Sequence, residues 1–192
     1  MTPARLLAAP VPGTRPAYRV LRIAIGALIV AASAQVVVPL PFTPIPFTLQ
    51  PLAVLAVGGL LGAGEGAGAL VLYLALGALG LPVFAGGGSG VLRLIGPTGG
   101  YLLAFPFAAA VAGAFAAPRR ASGVTLWRVL AGCVLGMVVI HAGGVAQLAL
   151  LGGDPAQAFR YGFIPFFTGD LVKIGLAAAV ILLAAPRLRP AA

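Results

Sequence analysis

Two residues of this chain have types and spacing suited to chemistry: Asp170 and Lys173, in the stretch Phe167-Thr168-Gly169-Asp170-Leu171-Val172-Lys173. Lys173 is the only lysine, every other basic residue is arginine, and Asp170 is one of only 3 acids. Both sit in an apolar run from Phe163 to Ala185, long enough to cross a bilayer. An ionisable group at the centre of such a helix costs about 2.5 to 3.5 kcal/mol on insertion scales. The i, i+3 spacing puts carboxylate and ammonium on one helix face, close enough to pair. Such a pair either neutralises itself and helps pack a bundle or marks a substrate or ion pathway, the usual role of intramembrane charge. A buried ammonium invites an anionic ligand group. A carboxylate beside it accepts ligand N–H groups or holds the lysine charged and oriented. That chemistry suits a small, mostly apolar molecule carrying a carboxylate and a few N–H groups.

Other polar residues are sparse. Gln50, Tyr73, Ser89, Thr98 and Tyr101 are candidate handles near the same side of the chain, each accountable singly as helix packing. His141 and Gln147 lie six apart and so on different faces of one helix. Without an acid nearby in sequence, His141 is expected to make a packing hydrogen bond. No paired histidines or cysteines suit a metal, and no serine or cysteine has a histidine partner at a recognisable spacing. ATP hydrolysis within this chain is excluded, because its one lysine follows no glycine-rich phosphate loop.

The elements that must position these residues follow from composition. At 61% hydrophobic and 8% charged residues, with a mean hydropathy of +1.11, the chain carries far less charge than the roughly 25% of soluble domains. Its apolar runs are continuous rather than alternating, which argues for helices over a barrel. The expected fold is an all-α integral membrane protein of six transmembrane helices. The formal charge of +9 is explained by arginines at membrane borders and does not call for nucleic acid. Cys133 is the only cysteine and forms no internal disulfide.

Residues 1–17 are expected as a flexible cytoplasmic lead, 18–186 as the six-helix domain and 187–192 as a tail. The first span runs from Ile23 to Val38. Ala32-Ser33-Ala34 resembles a signal-peptidase site, but the lead is long and the apolar run continues past it, so the span is read as uncleaved. Residues 39–51 contain five prolines and are expected to be irregular until Pro51. Being apolar, this stretch belongs against the membrane as a cavity lid, since irregular backbone at that depth needs protein or a cavity to cover it. The second span covers Thr48–Leu61, the third Ala67–Leu81, with a glycine-rich turn over Gly62–Gly68 between them. That turn matches a dinucleotide fingerprint in form only, since no strand precedes it. A second glycine-rich loop runs from Phe84 to Tyr101, followed by spans at Gly100–Ala117 and Trp127–Leu151, an outer loop over Gly152–Arg160 and the Asp170/Lys173 helix. Nine arginines fall on the side of the termini, while Arg93 and Arg160 fall opposite, which sets both termini in the cytoplasm. Lys173 then lies roughly 15 Å below the outer end of the last span, and Asp170 about 10 Å.

Four stretches together resemble a known family. They are Pro39 to Gln50, Gly77-Ala78-Leu79-Gly80-Leu81-Pro82-Val83-Phe84, Gly96-Pro97-Thr98-Gly99-Gly100-Tyr101, and Gly169-Asp170-x-x-Lys173. In order and at compatible spacing, over about residues 20–185, they are similar to the biotin-binding S components (BioY) of energy-coupling factor (ECF) transporters. The resemblance implies an S-component bundle in the bacterial cell membrane that captures biotin from outside. It implies as partners a transmembrane coupling subunit and two ATP-binding-cassette ATPase subunits, with no cofactor. Biotin has an apolar valerate chain, a carboxylate and a ureido ring with two N–H groups, and the family's last-helix Asp and Lys carry over onto Asp170 and Lys173. Relatives can carry asparagine where this chain has Gly88-Ser89, which makes Ser89 the substitute contact. The end of biotin that meets Lys173 stays open, as do an S component for another vitamin and a solitary ion-coupled carrier using Asp170, Lys173 or His141. S components also dock through an Ala-x-x-x-Ala-like face of the first helix, a spacing matched by Ala27 and Ala31, whose small side chains would let another helix approach.

Overall fold

The structure, a computed structural model, describes residues 16–117 and 125–188. Among the described residues eight α-helices run in chain order: α1 (Pro16–Ser33), α2 (Gln50–Leu61), α3 (Ala63–Ala78), α4 (Leu92–Ile95), α5 (Gly99–Phe115), α6 (Leu126–Gly152), α7 (Pro155–Gly162) and α8 (Phe167–Leu188). The two short ones, α4 and α7, lie in connections. Among the other six, Pro16–Ser33, Leu126–Gly152 and the stretch Pro155–Ala185 are each long and apolar enough to cross a membrane. α2, α3 and α5 have 12, 16 and 17 residues, so each is only about 18 to 26 Å long. Irregular connections therefore occupy part of the depth that helix would otherwise fill.

Lipid tails are as apolar as leucine, so helices in a bilayer associate through close packing rather than hydrophobic drive. The glycines show where this happens. A Cβ on Gly66 would strike Gly58, and one on Gly113 would strike the backbone of Gly62 and Ala63. Three helices, α2, α3 and α5, thus meet backbone to backbone at one end of the bundle. The turn between α2 and α3 is Gly62 alone, at φ +93°, a conformation that costs glycine little and other residues much. Fully buried Leu55, Leu70, Tyr73, Ile140 and Ile181 fill the core, while Leu28, Leu103, Val138, Leu150 and Leu183 face outward, as expected of a surface that meets lipid.

The helices differ from their expected limits at five places. α1 ends at Ser33, because Val37–Val38 pair antiparallel with Phe47–Thr48 instead of continuing the helix (Val37 opposite Thr48, Val38 opposite Phe47). Four of the five prolines (Pro39, Pro41, Pro44 and Pro46) fall in the loop of that hairpin, where no ladder donor is needed, and Pro51 lies in the first turn of α2. α1 also begins at Pro16, inside the expected lead. The glycines of 62–68 beyond Gly62 belong to α3, their lack of side chains used for helix contact rather than for turning. The expected outer loop is largely helical: α7 is started by Asp154, whose carboxylate accepts from the Ala156 and Gln157 N–H groups at 2.9 and 3.1 Å as an N-cap. A 3-10 turn over Ile164–Phe166 delays α8 to Phe167. Counted from there, Asp170 and Lys173 lie only about 4.5 and 9 Å along the helix. Residues 1–15, the basic connection over 118–124 and residues 189–192 of the expected tail lie outside the described residues.

Candidate ligand-binding site

Asp170 stands in the first turn of α8, where the positive end of the helix dipole favours its negative charge. One turn on, Lys173 donates from Nζ to Asp170 Oδ1 at 2.8 Å. The other carboxylate oxygen, Oδ2, lies 2.6 Å from Nε2 of His141 on α6. All three are buried, with 4%, 4% and 8% of their surfaces exposed. Desolvating such charges is offset only if each has its partners, and Asp170 has one for each oxygen. Lys173 gains a further partner in the Phe47 ring, whose centroid lies 3.8 Å from Nζ, a cation–π contact. Phe47 reaches there because Gly169 lies under it: a Cβ on Gly169 would overlap the ring.

Above this cluster is a cavity with about 690 Å³ of empty space, part of it open solvent. Its walls are apolar (Ile45, Leu102, Phe105, Ile140 and Phe166 among them) and its polar groups are few. The connections supply the roof: Ile45, Pro46, Thr48 and Pro51 from the proline stretch, Phe84 and Ala85 from the glycine-rich loop, and Thr98 just before α5. Their backbones are held across the fold. Gln35 donates to the Ala31 and Phe84 carbonyls at 3.1 and 3.5 Å, and Gln147 to the Leu94 and Gly96 carbonyls at 3.1 and 2.6 Å. Thr43 Oγ1 donates to the Tyr161 carbonyl at 2.9 Å.

Of the residues singled out in sequence, Asp170, Lys173, Gln50, Thr98 and Tyr101 line this one cavity. Gln50 is buried and donates to the Tyr73 hydroxyl at 2.7 Å. Tyr73 itself lies behind the cavity wall and acts by holding Gln50 in place. Tyr101 donates to the Gly162 carbonyl at 2.7 Å and packs over Gly144, where a Cβ would meet its ring. Ser89 is exposed and outside the lining. His141 makes its expected interhelical hydrogen bond to an acid that its sequence neighbourhood lacks, Asp170, brought from 29 residues away by helix packing. Ala27 is 2% exposed and part of the core, with Ala31 half-buried against that core. Ala27 therefore packs inside this bundle, while Ala31 remains partly exposed on α1. Arg93, taken in sequence only as a border arginine, lines the cavity and is exposed at its mouth. Its side chain has no ion pair or hydrogen bond among the described residues. The available signal was its position, within a glycine-rich loop on a side nearly devoid of charge.

A bundle of apolar helices holding an apolar cavity over a buried ion cluster defines a membrane substrate-binding protein. The same fold occurs in the 2.1 Å crystal structure of the S-component for biotin from an ECF-type ABC transporter, which superimposes with a TM-score of 0.78 over 95% of this chain and 96% of that one, at 23% identity. The BioY family model matches residues 7–190. The biotin transporter BioY of Thermotoga maritima is 39% identical over 145 residues, 76% of this chain and 83% of that protein. BioY of Rhizobium etli is 36% identical over 164 residues, covering 83% and 88%. This chain belongs to the BioY family, a family of membrane transporters rather than enzymes.

Proposed function

We propose that this chain is the biotin-binding S component of an ECF-type importer. It would take biotin from the outer side of the bacterial cell membrane, with ATP hydrolysed by partner subunits. The observation that carries this reading is the buried Asp170–Lys173–His141 cluster at the floor of an apolar cavity. The cavity would take the valerate chain along its apolar walls, and the cluster would take the polar ureido ring. The carboxylate would go to Arg93. Lys173 already has Asp170 and Phe47 against it, whereas Arg93 is the cavity cation without a charge partner among the described residues, and its fork suits a carboxylate.

The partners follow from the family: a transmembrane coupling subunit and two ATP-binding-cassette subunits. Both termini would lie in the cytoplasm, which puts the cavity mouth outside. Reporter fusions at residue 120 and at the C-terminus should then read cytoplasmic, and one near residue 155 external; an external C-terminus would invert the import direction. The ligand is tested by mass spectrometry of small molecules released from gently purified protein, followed by calorimetry with biotin. Biotin in the extract and saturable binding are expected. Another vitamin in the extract would reassign the ligand, and no binding of biotin would end the proposal.

A further inference from the structure

His141 is the only histidine of the chain, and the cluster employs just half of it. Its Nε2 faces Asp170 Oδ2 at 2.6 Å. Its Nδ1 is buried and has no hydrogen-bond partner among the described residues. The neighbouring rings offer it nothing: Phe163 and Phe166 are apolar, and the Tyr101 hydroxyl is committed to the Gly162 carbonyl. A carboxylate only accepts, so a single ring proton sits on Nε2, which leaves Nδ1 a bare acceptor. A second ring proton would instead leave an unpaired cationic N–H buried beside Lys173. Buried polar atoms without partners are rare and bear the full cost of lost hydration. Because His141 lines the cavity, the missing partner has a place from which to come.

We infer that His141 Nδ1 is a ligand contact that accepts one N–H of the bound molecule, while Asp170 accepts the other. This rests on the biotin reading above, since the ureido ring carries two such donors. It gives the site two acceptors of different kind, a carboxylate and an imidazole nitrogen, each held by the other. It also makes the site selective: a ligand of the same shape without the second N–H leaves Nδ1 unpaired and is rejected.

One histidine makes the test direct. In protein labelled with 15N-histidine and carrying no histidine tag, the ring contributes two nitrogen signals. Without biotin, Nδ1 should resonate as an unprotonated, unbonded nitrogen. With biotin saturating, as verified by calorimetry on the same sample, it should move upfield as it accepts a hydrogen bond. An Nδ1 signal unmoved by bound biotin, or protonated in the free protein, overturns the inference and leaves the biotin reading standing. Absence of biotin binding removes both. As a second measurement, His141→Phe keeps the ring and should weaken biotin about tenfold or more. One of the two mono-N-methyl biotins should bind wild type correspondingly worse and lose nothing further in that variant. Unchanged biotin affinity in His141→Phe overturns the inference.

Discussion

The two ends of the bundle are built on opposite rules. At the closed end, Gly58, Gly66, Gly62 and Gly113 bring α2, α3 and α5 together with nothing between their backbones. The charges there, Arg19 and Arg22 with Glu65 at 3.4 and 3.2 Å, lie at the rim. At the open end, prolines, a hairpin and a 3-10 turn replace helix, and Phe47, Phe84, Tyr101 and Phe166 stand between the elements. The Asp170–Lys173 pair there is buried under a cavity. Backbone contact leaves no room, so the closed end can act only as a clamp. Bulky side chains on irregular backbone hold the helices apart at the other end, and a ligand can enter.

This contrast can be broken by substitution, the largest effect first. Gly113→Val drives methyl groups into the backbone of Ala63 and should cost about 3 kcal/mol or more, so folded, monodisperse protein is lost on gel filtration. A well-folded variant would mean the closed end is not a clamp. Lys173→Ala acts at the open end: Asp170 loses its cation, and biotin affinity should fall about thirtyfold, or 2 kcal/mol, while the protein still purifies. Unchanged affinity by calorimetry would reduce the pair to packing. Arg93→Ala should weaken biotin about tenfold yet leave an uncharged biotin amide nearly unaffected. An equal loss for both would place the carboxylate elsewhere. The smallest effect is expected for Glu65→Gln, which removes the ion pairs to Arg19 and Arg22, together worth about 1 kcal/mol. It should lower the unfolding temperature slightly and leave biotin affinity alone; a change in affinity would show that the ends are coupled.

Much of this was legible beforehand. Apolar runs mark six helices because the bilayer demands them. Asp170 and Lys173 stand out because charge is so scarce in this chain, and their pairing is local, one turn apart. The proline stretch announced irregular backbone, since proline cannot donate. Helix limits were less legible wherever a tertiary contact set them. Val37 and Val38 leave α1 to pair with Thr48 and Phe47, and glycines read as a turn are spent on helix contact. The same holds for Ala27, since periodicity tells which residues share a face and not what that face meets.

By itself, then, the sequence determined the class of protein, its helices, its single buried lysine–aspartate pair and the family to which it belongs. Those depend on composition and on spacings of three or four residues, which a helix converts directly into geometry. Only the tertiary structure decided that His141 joins Asp170, that Arg93 turns into the cavity and that Ala27 turns inward. Each of these is a meeting of residues far apart in the chain, brought together by which helix packs on which, and no local spacing encodes it.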